Sequence, residues 1–193
     1  MDFLKQYDVI LASQSPRRKE LLSGLDISFR TLLIPDIDES YPEELRGEDI
    51  AKYISKKKAD VYLNHMDDHS LVITADTIVL LDGKVFGKPV DDDEAKQMLR
   101  ELSGNTHLVI TGVTITTLTK QKTFSVTTEV RFSNLSEEEI EHYVSHYHPL
   151  DKAGAYGIQE WIGYVAVENI SGSYFNVMGL PIQRRYKELQ NFC

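Results

Sequence analysis

Cysteine is almost missing from this chain of 193 residues: the only one is Cys193, the last residue. A single thiol cannot close an intrachain disulfide, so the fold must rest on a packed core. A reducing compartment, the cytoplasm, is the expected home. No apolar run is long enough to span a bilayer as a helix. The first ten residues, MDFLKQYDVI, lack the basic-then-apolar form of a secretory leader. Basic residues are the minority, 21 Lys and Arg against 30 Asp and Glu, for a formal charge of −9. That balance excludes a duplex nucleic-acid binder, whose phosphate contacts need a broad basic surface. Two motifs are also absent: no GxSxG presents a serine nucleophile, and no GxGxxG cradles a dinucleotide.

What is present reads as an ordinary globular protein, 41% hydrophobic and 26% charged. The length suits one domain spanning residues 1–193 with a sizeable core. DVILAS (8–13) predicts a buried strand, followed by a helix from Pro16. FRTLLIPDIDESYP predicts a second strand that breaks into an acidic loop, and residues 47–63 look helical. SLVITADTIVLL is the most apolar strand and turns at Asp82-Gly83 into a short return segment ending at Pro89. DDDEAKQMLRELSG has acids in its first turn and Gly104 at its end, a well-formed helix. THLVITGVTITTL and KTFSVTTEVRFS predict a pair of long strands, and Ser136 with Glu139 predicts a capping box. From Tyr164 the chain suggests a strand, a loop and a final amphipathic helix. Strands and helices mix without strict βαβ alternation, so an α/β fold with a mixed sheet is expected.

Although scarce, the cations are clustered, in PRRK, in SKKKAD (Lys56, Lys57, Lys58) and in QRRYK. Each cluster taken alone fits a solvated helix face. The first one is odd: a helix N-terminus is already positive and favours acids, yet Ser15 and Pro16 open a helix with Arg17, Arg18 and Lys19. Two hydroxyls, Ser13 and Ser15, the unbonded N–H groups of a first helical turn and two planar guanidinium groups together form a cradle for an oligophosphate. An ordinary surface helix relieved by Glu20 and solvent is the competing reading.

Asp76 interrupts an apolar strand, where burying an unpaired carboxylate is expensive, so it must meet a cation, a metal or hydrogen-bond donors. Placed near a strand end, it is a candidate ligand for Mg²⁺ or a general base, or else a structural aspartate bonded to a turn. Glu39, in the acidic loop, is a candidate to share a hard cation with it, or a solvated loop acid. Lys88, between Gly87 and Pro89, is held more firmly than a helix-surface lysine, but the segment is not a Walker A loop. Lys58 reads as a helix lysine, exposed by default. His142, His146 and His148 lack a third ligand at zinc spacing and fit a solvated helix end. Gln159, closing AGAYGIQ, has an amide able to read a base edge, though the stretch also fits a close-packed turn.

Taken in order, LASQSPRR, DIDES, KKKA, ITADTIV, GKP, LDKAGAYGIQ and GSYFNVMGLP closely resemble the Maf family of nucleoside triphosphate pyrophosphatases, once described as septum-formation proteins. The resemblance implies a long mixed β-sheet with flanking helices, in two lobes around a central cleft, related to the inosine-triphosphate pyrophosphatases. It also implies a homodimer, a divalent cation (Mg²⁺ or Mn²⁺), and release of pyrophosphate and a nucleoside monophosphate. Asp76 matches the proton acceptor. Ser13, Arg17, Arg18, Glu39, Lys58 and Lys88 match phosphate- or metal-site positions, and Arg17, Thr77 and Gln159 match positions linked to substrate choice. ADT together with YGIQ looks like the branch acting on dTTP and UTP. Glu160 departs from the pattern, since relatives commonly have glycine there, and adds acid and bulk beside Gln159. Two other readings are hydrolysis of modified pyrimidine nucleotides in a housecleaning role, and a nucleotide-binding regulator of septum formation without turnover.

Overall fold

Strand β1, Asp8–Leu11, buries Val9, Ile10 and Leu11 and pairs in parallel with β3, Ser70–Leu81, on one side and β2, Arg30–Thr31, on the other. Strands covered on both faces read as unbroken apolar runs, which is why DVIL and SLVITADTIVLL are legible. The computed structural model describes residues 4–192. β3 runs five residues past Asp76, so that carboxylate lies in the middle of the strand and not near its end as the sequence suggested. Asp82 and Gly83 both take positive φ, 50° and 83°, and return the chain as β4, Lys84–Phe86, antiparallel to β3. β5, Thr106–Thr116, and β6, Gln121–Phe132, are the expected long pair, and β7, Val167–Ser171, lies antiparallel to β6. The sheet order is β2-β1-β3-β5-β6-β7, with β4 also on β3, so the seven strands form the mixed sheet that was expected.

The helices are α1 Pro16–Ser23, α2 Glu48–Tyr62, α3 Asp92–Leu102, α4 Glu137–Tyr147, α5 Trp161–Val165, α6 Tyr174–Val177 and α7 Ile182–Phe192. The capping box at α4 is present, with the Ser136 hydroxyl and the Glu139 carboxylate each accepting the other residue's backbone N–H. His142 and His146 are exposed on α4, and among the described residues no group of three His, Cys, Asp or Glu side chains could hold a metal. Two further expectations need correction. Tyr164 and Val165 belong to α5, so the last strand starts only at Val167. The second strand is only Arg30–Thr31. Beyond it Leu32, Ile34 and Ile37 pack against Ile10, Ala12, Tyr62 and Val72. There the Tyr62 hydroxyl donates to Leu32 O (3.1 Å) and accepts from Ile34 N (3.2 Å), supplying the polar partners a neighbouring strand would have given.

The chain divides into two compact units, Met1–Asp76 with Thr111–Val126 and Gly179–Cys193, and Thr77–Ile110 with Thr127–Met178. The first is cored by Ile10, Leu11, Leu22, Leu71, Ile73 and Leu189, the second by Phe86, Leu99, Leu102, Phe132, Tyr143 and Ile162. Within the second core the His107 Nε2 lies 2.7 Å from the Tyr156 hydroxyl, and both rings meet Phe132 edge-on. Burial pushes His107 down from 6.5 to about 4. The unfolded chain therefore binds more protons than the native one in that interval, so stability falls as pH drops from 6.5 towards 4. One pKa unit is worth about 1.4 kcal/mol, which makes the loss of order 3 kcal/mol. Thermal melts across this range should show that loss in the native protein, and a His107→Phe variant should show a shallower slope.

Candidate functional site

In the first unit the SQSPRR segment folds as its residue types dictate. Ser15 is the N-cap of α1, its hydroxyl accepting from Arg18 N (3.4 Å), with Pro16 at the first helical position. Ser13 Oγ accepts from Ser15 N (3.2 Å), so both hydroxyl oxygens brace the turn. The first turn of α1 contains no acid. The Arg18 guanidinium bridges distant carbonyls, its Nε donating to Gly179 O (2.7 Å) and a terminal nitrogen to Ala75 O (2.9 Å). Burial lowers the Arg18 pKa. Asp76 opposes that shift, Arg17 adds to it, and Glu39 opposes it. The cations at the positive end of α1 are thus tolerated in part because carboxylates from elsewhere in the chain face them.

Those carboxylates meet at Lys58. Its ammonium lies 2.7 Å from Asp76 Oδ1 and 2.8 Å from Glu39 Oε1, and its side chain is 13% exposed. The lysine read as exposed by default is therefore enclosed, and Asp76, 8% exposed, has the cation that its burial demanded. The neighbouring Lys57 donates to Asp38 Oδ2 (2.6 Å) and Ser40 O (3.0 Å), and Ser40 N donates to Asp38 Oδ1 (2.9 Å). Lys57 and Ser40 hold the Asp38 carboxyl far below the usual carboxylate range. Successive lysines of α2 thus pin successive acids of the DIDES loop, and this fixes Glu39.

The second unit holds the other candidates. Thr77 follows Asp76 on β3 and is partly buried, and Lys88 is exposed in the segment after β4. Gly154 N donates to Gly87 O (3.0 Å), tying the residue before Lys88 to the AGAYGIQ turn. Gly154 adopts φ +70°, and a β-carbon there would fall 2.9 Å from Val79 Cγ2, so the turn needs glycine. Gln159 Oε1 is buried with no hydrogen-bond partner in the protein. The sequence reading passed over Lys152, 7% exposed, and Tyr143, and it took Glu160, which accepts from the Tyr143 hydroxyl, only as acid and bulk beside Gln159. The counter-charges of Lys152 are the adjacent Asp151 and Glu160, eight residues later, and only the fold brings the second to it.

The mixed sheet, the serine-capped cationic helix and a strand aspartate held by a helix lysine define an α/β protein with a cluster of paired cations and carboxylates. A solved HAM1 protein from Coxiella burnetii shares this fold, with a TM-score of 0.53 at 14% identity over 96% of this chain and 99% of that one. The family model described as Maf-like protein matches residues 8–192, and the chain belongs to that family. Relatives named dTTP/UTP pyrophosphatase include one from Phocaeicola vulgatus, 58% identical over 98% of each chain. Another, from Porphyromonas gingivalis, is 52% identical over 100% of this chain and 98% of its own. A third, from Christiangramia forsetii, is 45% identical over 98% and 96%. No helix is long and apolar enough to cross a membrane among the described residues.

Proposed function

We propose that this protein hydrolyses dTTP and UTP to the nucleoside monophosphate and pyrophosphate. The observation that carries the reading is the convergence of Glu39 and Asp76 on one ammonium, 2.8 and 2.7 Å away, with Arg18 bonded to the carbonyl of Ala75. The name shared by relatives 45–58% identical over nearly their whole length supports the choice of nucleotide. Arg17, Arg18, Lys58 and Lys88 are assigned to the triphosphate tail together with the Ser13–Ser15 turn, and Thr77 and Gln159 to the base. Asp76 takes a proton from the water that attacks the α-phosphorus. As that P–O bond forms, the bond to the α–β bridging oxygen breaks, and pyrophosphate leaves with the electron pair. Lys58 orients the Asp76 carboxylate by engaging Oδ1.

Glu39 and Asp76 are the residues that would hold Mg²⁺ or Mn²⁺. Two oxygen-donor carboxylates already gathered around one positive charge suit a hard cation that completes its shell with phosphate oxygens and water. When bound, such an ion neutralises the tail and polarises the α-phosphate. The homodimer belongs to the same reading, and it is supported by large side chains exposed on the helices that precede and follow edge strand β7, Tyr164 of α5 at 85% and Phe175 of α6 at 48%. A reaction on free nucleotides also agrees with a cytoplasmic location.

The test is pyrophosphate release from each common nucleoside triphosphate in the presence of Mg²⁺. dTTP and UTP should turn over at least about tenfold faster than CTP, GTP or ATP. EDTA should abolish the release, and added Mg²⁺ or Mn²⁺ should restore it. Tight dTTP binding with no pyrophosphate would overturn the reading in favour of a regulator.

A further inference from the structure

The second unit contains a polar network that the proposed reaction does not use. The Lys152 side chain is 8% exposed, and its Nζ lies 2.7 Å from Asp151 Oδ1 and 3.1 Å from Glu160 Oε1. Glu160 Oε2 accepts from the Tyr143 hydroxyl, and that hydroxyl oxygen accepts from Gly157 N at 3.0 Å. Ammonium, carboxylate, phenol and backbone amide thus form one connected chain that fixes the backbone two residues before Gln159. The side chains close over Gly157. A β-carbon there would fall 2.9 Å from Gln159 Nε2, 3.0 Å from Glu160 Cδ and 3.0 Å from Lys152 Cε. The amide nitrogen of Gln159, and not its oxygen, is the end among those nearest contacts. The oxygen is buried without a donor.

An unmet buried acceptor costs about 1–3 kcal/mol, a penalty that is relieved when a ligand supplies the donor. Uracil and thymine place an N3–H donor beside the O4 acceptor. An amide whose oxygen takes the N3 proton and whose nitrogen donates to O4 reads both. Cytosine reverses the pattern, with an acceptor at N3 beside a donating N4 amine, and the same amide turned by 180° would read it. One amide orientation is therefore enough to separate keto from amino pyrimidines. The Glu160 carboxyl carbon and the Gln159 amide nitrogen both stand about 3 Å from the same point above Gly157, so a carboxylate lies where it attracts the amide NH₂ and repels its oxygen.

We infer that Glu160, with Lys152 and Tyr143, is a positioning assembly that fixes the Gln159 amide for uracil and thymine against cytosine. The inference rests on the proposed reading of Gln159 as the base-reading residue. The residue that departs from the family pattern is then the one that holds the orientation.

The experiment compares kcat/KM for UTP and CTP in the unaltered protein and in Glu160→Gln, Tyr143→Phe, Gln159→Ala and the double variant Glu160→Gln/Gln159→Ala. Glu160→Gln keeps the side chain's shape and removes its charge, and it should lower the UTP-to-CTP ratio about tenfold, mostly through KM, with kcat for UTP within about threefold. Tyr143→Phe should shift the ratio the same way by about threefold. In the Gln159→Ala background the Glu160 change should leave the ratio unaltered. A merely structural role would lower the melting temperature and slow both substrates alike. The inference fails if folded Glu160→Gln and Tyr143→Phe keep the original ratio, or if the Glu160 effect persists without Gln159. If Glu160→Gln does not fold, the Tyr143→Phe ratio decides alone. If the unaltered protein releases no pyrophosphate from UTP or dTTP, the functional reading falls and takes this inference with it. A failed ratio test leaves that reading standing.

Discussion

Asp76→Asn should slow pyrophosphate release from dTTP by about two to three orders of magnitude, the scale set by losing a general base or one charge at a phosphoryl site. The substitution keeps the shape of a side chain that is 11% exposed in the middle of β3 and removes its capacity to accept a proton. Lys58 retains Glu39 at 2.8 Å, so its ammonium is not stranded, and the variant should still melt cooperatively. The loss should fall on kcat. Binding of dTTP should hold or tighten, because a negative charge next to a polyanion has gone. Steady-state pyrophosphate release with a parallel melt checks both halves, and turnover within about threefold of the original would remove Asp76 from the role.

Gly112→Ala should produce a large loss of stability. A β-carbon at this position on β5 would fall 2.2 Å from Ala51 O, 2.3 Å from Ala51 C and 2.7 Å from Lys52 N. All three atoms are backbone of α2, so no rotamer change relieves the overlap, and the helix must move or unwind. Overpacking of this kind costs about 3 kcal/mol or more, a fall in melting temperature of about 6–12 °C at this chain length. Because α2 supplies Lys57 and Lys58, pyrophosphate release should fall together with stability. Gly87→Ala is the control. Nothing lies within 4 Å of its added β-carbon, and its melt should shift by less than about 1 kcal/mol equivalent.

These two positions also mark how far the sequence could be read. Asp76 is legible because a charge inside an apolar run is costly wherever it falls, and the run itself, SLVITADTIVLL up to the turn at Asp82, matches β3 residue for residue. The turn at Asp82-Gly83 and the cap at Ser136 are equally plain, because local chemistry alone decides them. Gly112 is silent in the sequence. Its need for a hydrogen comes from a helix some sixty residues earlier. Lys58 is hidden for the same reason, one of three consecutive lysines distinguished only by the carboxylates that reach it. The overextended second strand fails in the opposite sense: LLI has strand-like residues, but a tyrosine hydroxyl from α2 satisfies the backbone there. Lys152 and Glu160 make sense only as a pair, and a reading that takes residues one at a time sees a lysine and a bulky acid.

The two carbonyls that hold Arg18 stand 57 and 161 residues further along the chain. A polypeptide leaving the ribosome therefore has the arginine long before it has Gly179, the residue that receives its Nε. Until Gly179 is made, this guanidinium has only part of its anchorage, and a product truncated before that glycine would keep every acid and lysine of the cluster while its first helix lacked its final tether. Final anchorage of the first helix is thus delayed, in this molecule, until a residue 161 positions later has been made.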